Sequence, residues 1–380
     1  MATEACRGCL RRSWLLSELG VVLDYRGRDP GRLFALLSLA DQTLIDAVAG
    51  RRRAEVRERW ERFEVDELPA AAGVRTTCGH RENSAVGLGR VALAPRALHF
   101  SGGDERLRSL ARQPAVAIVG SGRASDYGME VARSLARGLA ASGVTVVSGF
   151  GEGIAAAVHD GTLAGRGRPM ATTAGGVDVC RPSHRRALYE RVHREGCLVG
   201  ELPCGFRQRR WCGLASTRVV AALAAVTVVV EANASERELA PARAAGTFGA
   251  TVAAVPGRVT TRTAQGTCGL LMEGAPLVRD AGDVLDLLHD ARATGDERRH
   301  GTARPPAKRT GGQARLEPRL GELLERVGAG RDTLGRLTGE GADAQETMLG
   351  LSELELMGLL GRGDGGRYVV RERLADERQG

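Results

Sequence analysis

Short apolar, β-branched runs alternate through the middle of the chain with stretches whose apolar positions recur every three to four residues. Val116–Val119 is one such run and stops at Gly120, and after it Val131, Leu135 and Leu139 follow at helical spacing. The same reading predicts strands at 116–119, 144–148, 169–173, 197–201, 226–231 and 251–255. Helices are predicted between them at 127–142, 153–164, 183–195, 214–224 and 239–248. Buried strands alternating with helices predict an α/β fold, a largely parallel sheet with helices on both faces. Residues 71–290 would form this core.

The flanks read differently. Residues 1–70 carry apolar segments at Leu10–Leu23 and Leu33–Val48, broken by Asp29-Pro30-Gly31, and predict an N-terminal helical module. Residues 291–316 are rich in Gly, Pro, Arg and Thr and predict a flexible linker. Residues 317–380 follow, with helices at 317–327, 331–338 and 343–360 and a strand at 367–370 after Gly363-Asp364-Gly365-Gly366. Asp343 and Glu346 could cap the third helix. Three helices and a wing predict a winged-helix domain, with DNA or protein as its target.

Composition adds bounds. The chain has 380 residues, a formal net charge of +8 and a pI near 9.4, which favours polyanions or acidic surfaces without choosing between them. Lys308 is the only lysine, so the positive charge is arginine, suited to bidentate phosphate contact. GC-rich coding would give the same excess. No apolar run approaches a membrane span and the N-terminus lacks a signal core, so a cytoplasmic protein without membrane contact is expected. Eight scattered cysteines are expected as free thiols. Cys6-Arg-Gly-Cys9 has zinc-ligand spacing and Cys78-Gly-His80 could add two ligands. A single CxxC is weak evidence, however, and no metal or cofactor is expected.

The candidate chemistry lies in two glycine clusters, Gly120-Ser121-Gly122-Arg123 and Ser148-Gly149-Phe150-Gly151-Glu152-Gly153. Neither is a dinucleotide fingerprint, because the sixth positions are Ser125 and Ile154. No Walker motif is present. Adjacent strand-end loops can still form one anion cradle; the alternative is that the glycines serve only tight turns. His159-Asp160 reads as a helix dipeptide that packs or caps, and Glu231 as a strand-end carboxylate that bonds backbone N–H groups. No nucleophile, base and orienter can be assembled, so an enzyme is not expected.

The segments VAIVGSGRASDYG, VTVVSGFGEGIAAAVHDG, AGGVDVCRPSHRRAL, GELPCGFRQRRW, TRVVAALAAVTVVVEA, VAAVPGRVT and QGTCGLLMEGAPLV follow in order over residues 115–288. In that order and spacing they resemble the DNA-processing protein A (DprA/Smf) family. The resemblance implies a Rossmann-like core and a non-catalytic mediator that binds single-stranded DNA. It implies a homodimer that helps load a RecA-type recombinase during DNA uptake. It also implies DNA contacts at Gly120, Ser121, Arg123, Ser148, Gly149, Gly151, Gly153, Gly176, Arg218 and Gly266. The chain departs from the family pattern. Gly122 displaces Arg123 by one place, Gly151 and Ala155 replace an alanine and an aspartate, and Ser216-Thr217-Arg218 stands for Arg-Asn-Arg. Ser235-Glu236-Arg237 stands where the family has Arg-Ser-Gly. Two other readings therefore stand beside the first: a degenerate scaffold without DNA binding, and a nucleotide phosphoribohydrolase, whose PGGxGTxxE signature is absent.

Overall fold

The computed structural model describes residues 5–80, 93–102, 115–299, 318–330, 332–338, 344–356, 360–362 and 367–370. The chain divides into two compact units, Met1–Gly301 and Thr302–Gly380.

The first unit is built on an eight-stranded sheet. Its strands are β1 (Val74–Cys78), β2 (Ala97–Gly102), β3 (Ala115–Val119), β4 (Val146–Gly149), β5 (Met170–Thr172), β6 (Cys197–Gly200), β7 (Ala224–Val229) and β8 (Thr251–Ala254). They lie in the order β1-β2-β6-β5-β4-β3-β7-β8. The six strands from β3 to β8 pair in parallel, as the alternation predicts. β3 shows why. All five of its residues are buried, Ala115, Ala117 and Val119 toward one helix layer and Val116 and Ile118 toward the other. A period of two with both faces apolar is stable only between two layers of helices.

The antiparallel extension β1–β2 was not predicted. β2 sits beside β6 and carries His99 and Ser101 into the interior, which breaks the apolar pattern. His99 is held by the hydroxyls of Ser13 at 2.8 Å and Thr76 at 2.9 Å. Burial lowers its pKa to about 4, so the ring is neutral at pH 7.

The N-terminal helices are not a separate module. Trp14, Leu15, Leu16 and Leu19 share one core with Trp211, Leu214 and Ala215 of the helix Arg210–Leu223. The Trp211 indole N–H donates to the Gly20 carbonyl at 3.0 Å. Each such fully buried large side chain stabilises the union by about 1.5–3 kcal/mol. Local signals set the helix starts. Asp29 accepts the Arg32 N–H at 2.7 Å with Pro30 at the first helical position. Ser125 caps Asp126–Ala141 by accepting from Gly128 at 3.1 Å.

The helix Ala281–Arg299 runs into the segment expected as linker. The rest of that segment, the Asp343–Glu346 cap and the 363–366 turn lie outside the described residues. In the second unit the helices Pro318–Gly328, Leu334–Leu337 and Ala344–Leu356 precede an antiparallel pair, β9 (Leu360–Arg362) and β10 (Tyr368–Val370). Leu320, Leu323, Val327, Leu337, Leu351, Leu354 and Leu360 form its core. The third helix ends at Leu356, short of the expected 360, because Leu360 belongs to β9. No helix among the described residues is long and apolar enough to cross a membrane.

Candidate nucleic-acid interface

The strand order reverses at β3: β4, β5 and β6 step outward on one side, β7 and β8 on the other. The crevice beyond the carboxyl ends of β3 and β7 is therefore the switch point at which such sheets take ligands. The loops that open there are 120–125, 149–153, 173–182, 201–209, 230–235 and 255–264.

The crevice is occupied by the protein's own carboxylates. Glu231, 5% exposed, accepts the Ser125 N–H at 2.8 Å and the Ser125 hydroxyl at 2.6 Å, as its reading as an N–H acceptor anticipates. A Cβ on Gly128 would stand 2.4 Å from its Oε2, so glycine there makes room for the carboxylate. Glu238 accepts from the Ser121 hydroxyl at 3.1 Å and from the Asn233 N–H at 2.7 Å. The donors that would cradle a small phosphate at the switch point are thus taken.

The ten residues expected to contact DNA differ in how tightly their surroundings pack. Gly120, Gly153, Gly176 and Gly266 pack against backbone, where an added Cβ would come within 2.4–2.7 Å of a neighbouring atom. The Ser121 N–H donates to the Glu231 carbonyl at 2.7 Å. Its carbonyl accepts the Ile154 N–H at 3.1 Å, which spends the first donor of the helix Ile154–Ala164. Ser148 is buried and its hydroxyl donates to the Ile118 carbonyl at 2.7 Å, tying β4 to β3. These six hold the loops in shape; Gly120 and Gly153 are half-buried and the other four are buried.

Arg218 requires the clearest correction. It is buried in the helix Arg210–Leu223 and paired with Glu201, with a second bond to the Leu93 carbonyl at 2.9 Å. The helix turns this position inward, toward the loop after β6, and away from solvent.

What remains open is smaller and more coherent. Gly149 and Gly151 meet nothing within 4 Å of an added Cβ, and the same holds for Gly122, which was not among the expected contacts. Glycine is not required there for packing, and it leaves the backbone accessible to a ligand. Arg123 is exposed on the same loops, and its guanidinium meets no partner among the described residues. Arg181, Arg207, Arg258 and Arg262 share that state on the other loops of this edge. Sequence reasoning missed these four. Their signal is position, since each lies in a segment that leaves the carboxyl end of a parallel strand, β5, β6 or β8. Glu152, the acidic residue of the second cluster, is paired with Arg185 at 3.0 Å and lies 2.6 Å from the His184 ring.

His159 supports this edge from beneath. It packs, as expected, and its Nε2 bonds the Gly149 carbonyl at 3.0 Å, while Phe150 stacks on the ring at 6.2 Å. Burial lowers its pKa to about 4. A cavity of about 640 Å³ bounded by Ser134, Arg137, Gly165 and Asp280 lies in the helix layer, away from these loops.

Cys6, Cys9, Cys78 and His80 are brought together, with all four candidate ligand atoms within 4.8 Å of one another. The two short motifs, read apart as insufficient, form a single set.

Fold and edge define an α/β domain with a mostly parallel sheet and an arginine-bearing rim at the carboxyl edge of its strands. The description DNA recombination-mediator protein A matches residues 78–289, and the chain belongs to that family. A Mycobacterium tuberculosis protein named as a DNA processing protein DprA is 41% identical over 202 residues, covering 53% of this chain and 52% of the relative. Protein Smf of Synechocystis is 28% identical over 299 residues, covering 73% and 75%. The chain thus spans about half the length of the first of these relatives. The crystal structure of DNA processing protein A from Streptococcus pneumoniae shares the fold, with a TM-score of 0.57 and 24% identity over 73% of this chain and 95% of that one.

Proposed function

We propose that the protein is a non-catalytic, cytoplasmic recombination mediator that binds single-stranded DNA along the carboxyl edge of its sheet. It would act as a homodimer and assist a RecA-type recombinase during DNA uptake, with its C-terminal unit serving as a winged helix. The observation that carries this reading is the rim: exposed arginines without partners among the described residues, beside glycine loops whose backbone is open. Such an edge suits a flexible strand held by its phosphates, and a rigid duplex would meet fewer of these groups at once.

Titration of labelled single-stranded and duplex oligonucleotides at two salt concentrations tests it. Tighter, salt-sensitive binding of the single strand is expected. Equal affinity for duplex, or no binding at low salt, would overturn it.

A second reading is favoured by one observation. Glu231 and Glu238 occupy the switch-point donors, which suits a scaffold that has given up phosphate binding. The same titration separates the two, because a scaffold would show no salt-dependent binding to either oligonucleotide.

A further inference from the structure

We infer that Cys6, Cys9, Cys78 and His80 form a structural zinc site that fastens the N-terminal helices to the edge of the sheet. Cys6 caps the helix Arg7–Glu18 and Cys9 lies in its first turn, so a CxxC spacing brings both thiols to one end of the helix. Cys78 ends β1 and His80 follows in the adjoining turn. His80 Nδ1 lies 3.0 Å from Cys9 Sγ and 3.8 Å from Cys6 Sγ. The Cys6 N–H donates to Cys78 Sγ at 3.3 Å, which ties the helix start to the end of β1.

These distances suit a tetrahedral ion. Zinc–sulfur bonds of about 2.3 Å and zinc–nitrogen bonds of about 2.0 Å place neighbouring ligand atoms roughly 3.5–3.8 Å apart. The cluster lies around that geometry, with every pair inside 4.8 Å, and reaches it if Cys9 and His80 move slightly apart and the wider pairs draw in. Three sulfurs and one imidazole match a borderline-soft divalent ion, and four protein ligands leave no open position for catalysis. Burial fits as well, since Cys78 is 0% and Cys9 2% exposed. Three thiolates on a divalent ion carry one net negative charge. Arg11 and Arg96 line the cavity of about 370 Å³ beside the cluster and supply compensating charge.

The site would close a loop of more than seventy residues between the helix start and the strand end. Metal binding of this kind is linked to folding, because the unfolded chain holds no preformed site. This inference does not depend on DNA binding and is read by different measurements.

The full chain, purified under reducing conditions with Zn²⁺ in the growth medium, is analysed for metal by mass spectrometry. Close to one zinc per chain is expected. Replacement by Co²⁺ should give the visible absorption of a tetrahedral thiolate site. His80→Ala, at an exposed side chain and expected to keep the parent's circular dichroism, should weaken retention against a chelator by more than about tenfold. Cys6→Ser should do the same, and both variants should remove the thermal shift that chelator produces in the parent. Reduced protein that takes up no Zn²⁺ or Co²⁺ would overturn the inference. So would metal retained equally by both variants, or peptide mapping that finds these cysteines joined as a disulfide in freshly purified protein.

Discussion

Arg218 and Glu201 form an ion pair in the interior of the protein, with side-chain exposures of 1% and 5%. Burial works against the Arg218 charge and Glu201 supports it. Arg218→Met leaves the Glu201 carboxylate buried without its partner, and a loss of about 3–5 kcal/mol is expected in urea unfolding. The double variant R218M/E201L should recover much of that loss, since neither charge is then stranded. Where it is folded, this double variant should bind single-stranded DNA as the parent does. Weakened binding by the folded double variant would return Arg218 to the interface.

The rim arginines should behave in the opposite way. Arg123→Ala and the pair R258A/R262A should leave the unfolding midpoint unchanged, because these side chains meet no partner among the described residues. Each arginine lost from a phosphate contact should shallow the plot of log affinity against log salt by about 0.7 for a single strand. Unaltered slopes in all variants would show that the strand runs elsewhere.

Two glycines of one loop should separate packing from contact. Gly153 has φ 57° and an added Cβ would stand 2.4 Å from the Ser121 carbonyl oxygen. Gly153→Ala should therefore destabilise the fold by more than about 1 kcal/mol. Gly151 has open space at the same position, so Gly151→Ala should change stability by less than about 0.5 kcal/mol. Its effect should appear in single-strand affinity, measured by fluorescence anisotropy, because the new methyl group stands between backbone and ligand.

Two buried histidines make stability depend on pH. His99 and His159 have folded pKa values lowered to about 4 from an ordinary 6.5. Between those values the unfolded chain binds more protons than the folded one, so stability is full above about pH 6.5 and falls as pH drops toward 4. Each histidine accounts for up to about 3 kcal/mol of this loss. Urea unfolding at pH 7 and pH 5 should show the decline, and His159→Asn should flatten part of it. Equal stability at the two pH values would contradict the burial of both rings.

The core and its handling of ligands were unequally legible in the amino-acid order. Val116–Val119, Val226–Val229 and the helix following Tyr127 could be read from periodicity, because burial on two faces or on one stripe leaves a local pattern. The glycine clusters could be placed at strand ends for the same reason. β1 and β2 could not, since the polar His99 and Ser101 are satisfied by Ser13, Thr76 and His193, residues far away in the chain. Tertiary structure alone decided that Arg218 faces Glu201 and that Glu231 and Glu238 fill the switch point. It alone decided that Cys6 meets His80 across the edge of the sheet. A charged or ligating side chain carries the same chemistry inside or outside a protein. Which partner it meets is set by how distant segments pack, and that information is shared among all of them.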